Sequence, residues 1–252
     1  MKTKWWWAVP AALILLLPLA AQAAAVGRFT MVTGEVDLLK QGKLPAVAAK
    51  VQDPVEAGDL IRTKAKAKAQ ITFVDGTTLT LAPESRVAVA DFVYTPESRA
   101  RRAVLRLFRG LAHTVVSRIL EIQEPEFIME TMTAVIGVRG TDFHTLVTPE
   151  CAYVYLERGR LSTASANRQV PGVVMLGDRQ KNQICLDQKP GPALVLTRAD
   201  EEMLLRLMDT GVPTDLEPPV EGPPPGFELP PSPGGPTPPS IPPILHVPRK
   251  GD

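Results

Sequence analysis

The chain has 252 residues, with 28 Lys and Arg against 27 Asp and Glu, 3 His, 2 Cys and 26 Pro. So even a charge balance argues against a nucleic acid as partner, and so few His and Cys exclude haem, iron–sulfur and multi-site zinc chemistry, which need clustered soft ligands; no cofactor is expected. A hydrophobic share of 44% is enough for one sizeable core, and the excess of Pro belongs outside it.

Lys2 and Lys4 precede an uncharged apolar run from Trp5 to about Ala21, and Ala21-Gln22-Ala23 places small residues at the two positions a signal peptidase reads. The run therefore reads as a signal peptide over residues 1–23, cleaved after Ala23, and the mature protein as periplasmic. The rival reading is an uncleaved inner-membrane anchor, since the uncharged stretch from Trp5 to Gly27 can cross about 30 Å of hydrocarbon. Pro18 and the small residues after it favour cleavage. In an oxidising compartment Cys151 and Cys185 are expected to pair, closing a loop of about 35 residues worth roughly 3–4 kcal/mol. Two buried free thiols are the alternative.

From Gly27 to Leu196 the pattern is of short strands with Gly-centred turns. The clearest hairpin runs from Ala69 to Leu81. A two-residue Asp75-Gly76 turn would set Leu79 and Leu81 on the face opposite Ile71 and Phe73, whereas a Val74-Asp75-Gly76 loop pairs Ile71 with Leu79 and Ala69 with Leu81. The second register keeps the apolar face whole and requires Gly76 to be left-handed. Gly34, Gly110 and Gly159 each precede an alternating stretch, and Gly58-Asp59 and Gly177-Asp178 add turns, which suggests duplicated strand–turn units. The expected fold is all-β, with stacked short strands in a β-solenoid-like or β-sandwich arrangement.

Thr197 to Met208 reads as the one helix, with Thr197 as cap and Ala199, Met203, Leu204, Leu207 and Met208 on a face that packs on the preceding domain. From Val212 onward 15 Pro occur and hydrophobic periodicity stops. That composition predicts an extended, disordered Pro-rich tail of PPII character, with Ile241, Ile244, Leu245 and Val247 as a candidate docking segment. The expected organisation is a signal peptide (1–23), a β domain (24–190), a helix packed on it (191–211) and the tail (212–252).

Several of these stretches, in order, resemble the FecR family: Val32-Thr33-Gly34-Glu35-Val36, Gly58-Asp59-Leu60-Ile61-Arg62-Thr63, Ala69 through Leu79, Leu107-Phe108-Arg109-Gly110, Thr131 through Ala134, and Gly137-Val138-Arg139-Gly140-Thr141-Asp142-Phe143. The resemblance spans about residues 26–188. Val154 through Gly159 and Leu176-Gly177-Asp178 continue it, although the family has Gly-Gln where Gly177-Asp178 stands. It implies an all-β periplasmic domain. In the family's signalling branch such a domain senses an outer-membrane receptor while a cytoplasmic N-terminal domain holds a sigma factor. With Met1 to Lys4 before the apolar run, the sigma-binding part is expected to be missing here. What remains is an exported, non-enzymatic sensing, binding or scaffold module, with an envelope protein or cell-wall component as partner.

Gly76, Arg139, Gly140, Thr141 and Asp142 are expected to be structural, with Arg139 and Asp142 as a buried pair at a turn. Arg99, Arg101, Arg102, Arg106 and Arg109 form the one dense basic run, a candidate contact for an acidic partner or an anionic membrane surface. His113, His144 and His246 lack metal-ligand spacing, and no nucleophile elbow or phosphate loop occurs. The competing functions are a cell-wall-modifying enzyme with a site around Asp142, His144 and Glu157, and a surface adhesin.

Overall fold

The computed structural model describes residues 24–98, 100–118 and 127–212; the expected signal peptide, Arg99 and the Pro-rich segment from 213 lie outside the described residues. The described chain forms β1 (Ala25–Thr33), β2 (Val36–Leu39), β3 (Val47–Ala48), β4 (Pro54–Glu56), β5 (Leu60–Thr63), β6 (Lys68–Phe73), β7 (Thr78–Leu81) and β8 (Arg86–Thr95). It continues through β9 (Ala100–Val115), β10 (Phe127–Glu130), β11 (Ala134–Val147), β12 (Cys151–Ser165), β13 (Val173–Leu176), β14 (Gln180–Cys185) and β15 (Leu194–Val195) to the helix α1 (Arg198–Thr210). The fold is mostly β, as expected.

Residue alternation shows why these stretches are strands. In β6, Ala69, Ile71 and Phe73 are buried while Gln70 and Thr72 face out, and β7 buries Leu79 and Leu81 in the same way. The hairpin between them adopts the register that keeps the apolar face whole: Ala69 opposes Leu81 and Ile71 opposes Leu79. The Phe73 N–H donates to the Thr77 carbonyl at 2.8 Å, and Gly76 has φ 82°, so the three-residue loop is closed by the left-handed glycine it needs.

All fifteen strands belong to one mixed sheet. Its main path runs β15-β14-β12-β11-β10-β9-β7-β6-β1-β4, with β8 joining β9 to a side branch of β5, β2 and β3, and β13 on β12. The parallel contact is β9 with β10. The sheet folds around a main core whose buried members include Phe29, Ile71 and Leu79 as well as Phe143, Val154 and Ile184. Each such fully buried side chain contributes roughly 1.5–3 kcal/mol.

The longest strands are not short: β9 has 16 residues, β11 has 14 and β12 has 15. Gly110 and Gly159, read from sequence as strand starts, lie inside β9 and β12. Each long strand changes face midway. In β9 the core takes Ala103, Leu105 and Leu107, then Ala112, with Val116 just past its end; in β11 it takes Ala134, Ile136 and Val138, then Phe143 and Val147. A β-bulge adds one residue to one strand, which reverses the sense of alternation beyond it.

Helix α1 lies over the sheet's outer face. Thr197 caps it: the Asp200 N–H donates to Thr197 Oγ1, while the Thr197 N–H donates to the Asp200 carboxylate at 2.8 Å. Leu204, 2% exposed, packs with Met203, Leu207 and Met208 against Leu111, Leu146, Tyr155 and Leu196. Lys181 holds Asp200 at 2.6 Å, Arg179 reaches Glu201, and Lys68 reaches Asp209 near the far end. Among the described residues no helix is long and apolar enough to cross a membrane.

Candidate functional site

Two bulges lie side by side where β11 meets β12. Arg139 stands opposite Arg160, Asp142 stands opposite Arg158, and between them Gly140 and Thr141 of β11 face the single Gly159 of β12. A Cβ on Gly140 (φ 57°) would sit 2.7 Å from Cβ and Cγ of Arg118, and one on Gly159 (φ 107°) would sit 2.8 Å from the Gly140 carbonyl oxygen. The two backbones and the Arg118 stem therefore touch, and any side chain at either glycine would force them apart. The Gly159 N–H donates to Asp178 at 2.5 Å, tying the β13–β14 turn to the bulge.

The buried Arg139–Asp142 pair expected from the sequence does not form. Arg139 is exposed, and Asp142 Oδ1 lies 2.6 Å from His113 Nε2. The bulge is the reason. It keeps Arg139 in register with Arg160 and delivers Asp142 to the neighbourhood of β9, where Val115 opposes it and His113 is on the same face.

The basic run also divides. Arg101, expected as a partner contact, is buried: its Nη1 donates to Asp75 Oδ2 at 2.6 Å, to Thr77 Oγ1 and to the Ser117 carbonyl, and its guanidinium lies over the Phe127 ring. It locks the β6–β7 turn to the ends of β9 and β10 and offers nothing to a partner. Arg102, half exposed, pairs with Asp91 at 2.8 Å, and Arg106 donates twice to Glu130, from Nε at 3.0 Å and Nη2 at 2.7 Å. The parity of β9 carries this information, since Arg101 shares its face with Ala103, Leu105 and Leu107 while Arg102 and Arg106 share the other.

A second set of arginines gathers here, of which the sequence singled out Arg139 alone, as half of a buried pair. Arg118, Arg139, Arg158 and Arg160 are all exposed around the paired bulges, and no acidic side chain among the described residues forms an ion pair with any of them. The available signal was the pattern Arg-Gly-Arg at 158–160 and Arg-Gly at 139–140.

Next to this set, the sheet brings together side chains that are far apart in the chain. His113 and His144 are cross-strand neighbours with rings stacked 4.2 Å apart. Asp142 and Glu157 share their face, so the three residues proposed for an enzymatic site do gather, with His113 added. Burial, reinforced by His113, holds the His144 imidazole neutral, with its pKa lowered to about 3. Burial and then the Glu201 charge push the Glu157 carboxyl up. A His held neutral to such low pH does not serve as a general acid near neutrality. Among the described residues no group of three His, Cys, Asp or Glu is placed to hold a metal ion. His246 lies outside the described residues. Farther along the same face Cys151 opposes Cys185, and the two are joined as a disulfide.

Residues 59–167 match the model of the family described as FecR protein. That segment runs from the Gly58-Asp59 turn through β12 and includes both bulges. No curated protein matches the chain. Two crystal structures of a candidate anti-sigma factor from Parabacteroides distasonis are similar to it, at 18% and 17% identity with TM-scores of 0.45 and 0.44. The alignments cover 58% of this chain and 63% or 64% of the other, so the chain spans less than two thirds of that protein.

Proposed function

Because residues 59–167 of this chain are a FecR domain, we propose that it is an exported, non-enzymatic module of the bacterial envelope that binds a protein or cell-wall partner. The family match carries the reading. Support for export comes from the basic, apolar and small-residue order of Met1 to Ala23, and a periplasmic position suits the Cys151–Cys185 pairing. On this reading the domain senses or scaffolds rather than turning over a substrate.

In living cells, chemical crosslinking of the full chain and of a version ending at Gly211 tests this directly. Capture of a membrane receptor or sensor, identified by mass spectrometry, places the protein in signalling, and recovery of cell-wall material makes it a scaffold. Loss of capture from the shorter version assigns the contact to the Pro-rich segment. If neither version captures a specific component, the binding reading fails. The gathering of His113, Asp142, His144 and Glu157 gives the enzymatic reading its one specific support. Release of products from cell-wall fragments, abolished by Asp142→Asn, would establish it in place of the binding module.

A further inference from the structure

Arg139 and Arg160 are directly opposite on adjacent antiparallel strands, so their side chains leave the same face of the sheet. Like charges at directly opposed positions are destabilising. Several other arginines have an acid: Arg101 has Asp75, Arg102 has Asp91, Arg106 has Glu130, Arg62 has Asp37 and Arg179 has Glu157 and Glu201. Among the described residues Arg118, Arg139, Arg158 and Arg160 form no ion pair, and they are gathered in one place by backbone contacts that only glycine allows at 140 and 159. Asp142, which stands opposite Arg158, is bonded to His113, and Asp178 accepts from the Gly159 N–H. Arginines gathered on one face with no ion pair among the described residues can be met by an anion supplied from outside.

The neighbouring strand says which kind. Ser162, two residues beyond Arg160 on the same face, is opposed by Met175 of β13, and Ala164 is opposed by Val173. Met175 is 45% exposed and Val173 56%. Guanidinium groups beside exposed apolar side chains on an open sheet face match a lipid–water interface, where phosphates lie in a plane above hydrocarbon. A guanidinium fork suits phosphate oxygens, and the apolar pair can enter the headgroup layer.

We propose that the face formed by Arg118, Arg139, Arg158 and Arg160, with Val173 and Met175 at its border, seats the domain on an anionic phospholipid surface. This inference is independent of the envelope partner, since it concerns purified protein and lipid. The test is co-sedimentation of a chain beginning at Ala24, which keeps every described strand and α1 but lacks the apolar N-terminal run. It is mixed with vesicles of phosphatidylcholine alone, or of phosphatidylcholine with phosphatidylglycerol.

Binding is expected only to the anionic vesicles, and it weakens as salt is raised. Each arginine near a charged surface contributes about fivefold, so Arg139→Gln/Arg160→Gln lowers the partition coefficient about thirtyfold. Met175→Ser lowers it further. Arg102→Gln/Arg106→Gln, which removes paired arginines, leaves it within about twofold. Thermal unfolding followed by circular dichroism checks that each variant is folded. Equal binding to neutral vesicles, no binding to anionic ones, or an equal loss in the Arg102/Arg106 control overturns the proposal. So does competition by millimolar inorganic phosphate, which would mark a free-phosphate site, or preference for polyglutamate over vesicles, which would mark an acidic protein partner.

Discussion

Asp75 does two jobs at the β6–β7 turn. Its carboxylate accepts from the Thr77 N–H at 2.9 Å and from Thr77 Oγ1 at 2.7 Å, shaping the loop, and it neutralises the buried Arg101. Both side chains are almost fully enclosed, at 3% and 0% exposure, so removing one strands the other's charge or donors away from water. Asp75→Ala is therefore expected to cost about 3–5 kcal/mol in urea unfolding, while Arg101→Leu/Asp75→Thr recovers much of that loss. Asp75 in its Asp-Gly turn was legible as a turn residue; its buried partner was not, because the partner comes from a strand 26 positions on in the chain. His144 makes a different prediction. Its folded pKa lies near 3, below the ordinary 6.5, so between those values the unfolded chain binds a proton that the folded one refuses. Stability is then lost as pH falls from about 6.5 toward 3, by up to about 1.4 kcal/mol per pH unit. His144→Gln is expected to flatten that part of the stability–pH curve, measured by urea unfolding from pH 7 to pH 4; an unchanged acid slope would refute the assignment.

Among the elements, α1 was the most legible and the long strands the least. Thr197, the acids of its first turn, the apolar stripe and Gly211 are all local signals, and the helix runs over Arg198–Thr210 with its Gly211 N–H bonded to the Leu207 carbonyl. What no local signal contained is its seat: Leu111, Leu146 and Tyr155 come from three strands and form an apolar patch only when those strands are adjacent. Leu204→Ala is expected to lower overall stability by about 2–3 kcal/mol, with amide exchange rising first in α1. Exchange that rises equally in β9 and β11 would mean that α1 is part of the main cooperative unit and not a separately opening lid. The bulged strands behave oppositely. Periodicity in β9, β11 and β12 is clear on either side of each bulge and contradictory across it, which is why Gly110 and Gly159 read as strand boundaries.

At the level of the entire sheet, one face encloses the main core and the other is divided along β11 and β12 into three zones. Helix α1 covers the Leu146 and Tyr155 end, His113, Asp142, His144 and Glu157 occupy the middle, and Arg139, Arg158 and Arg160 hold the far end. The FecR match stops at 167, yet β1 pairs with β6 and β14 pairs with β12, so strands on both sides of the matched segment complete the same sheet. The amino-acid sequence alone determined the β class, the Asp75-Gly76 hairpin register, α1 and the resemblance to the FecR family, because each rests on spacing within a few residues or on motifs in order. Tertiary structure alone decided which arginines are exposed and which are buried, which histidines meet, and where Asp142 points. The physical reason is that cross-strand pairing joins residues 20 to 40 positions apart and a single bulge reverses which face they share, so charge and burial at those positions are properties of the assembled sheet.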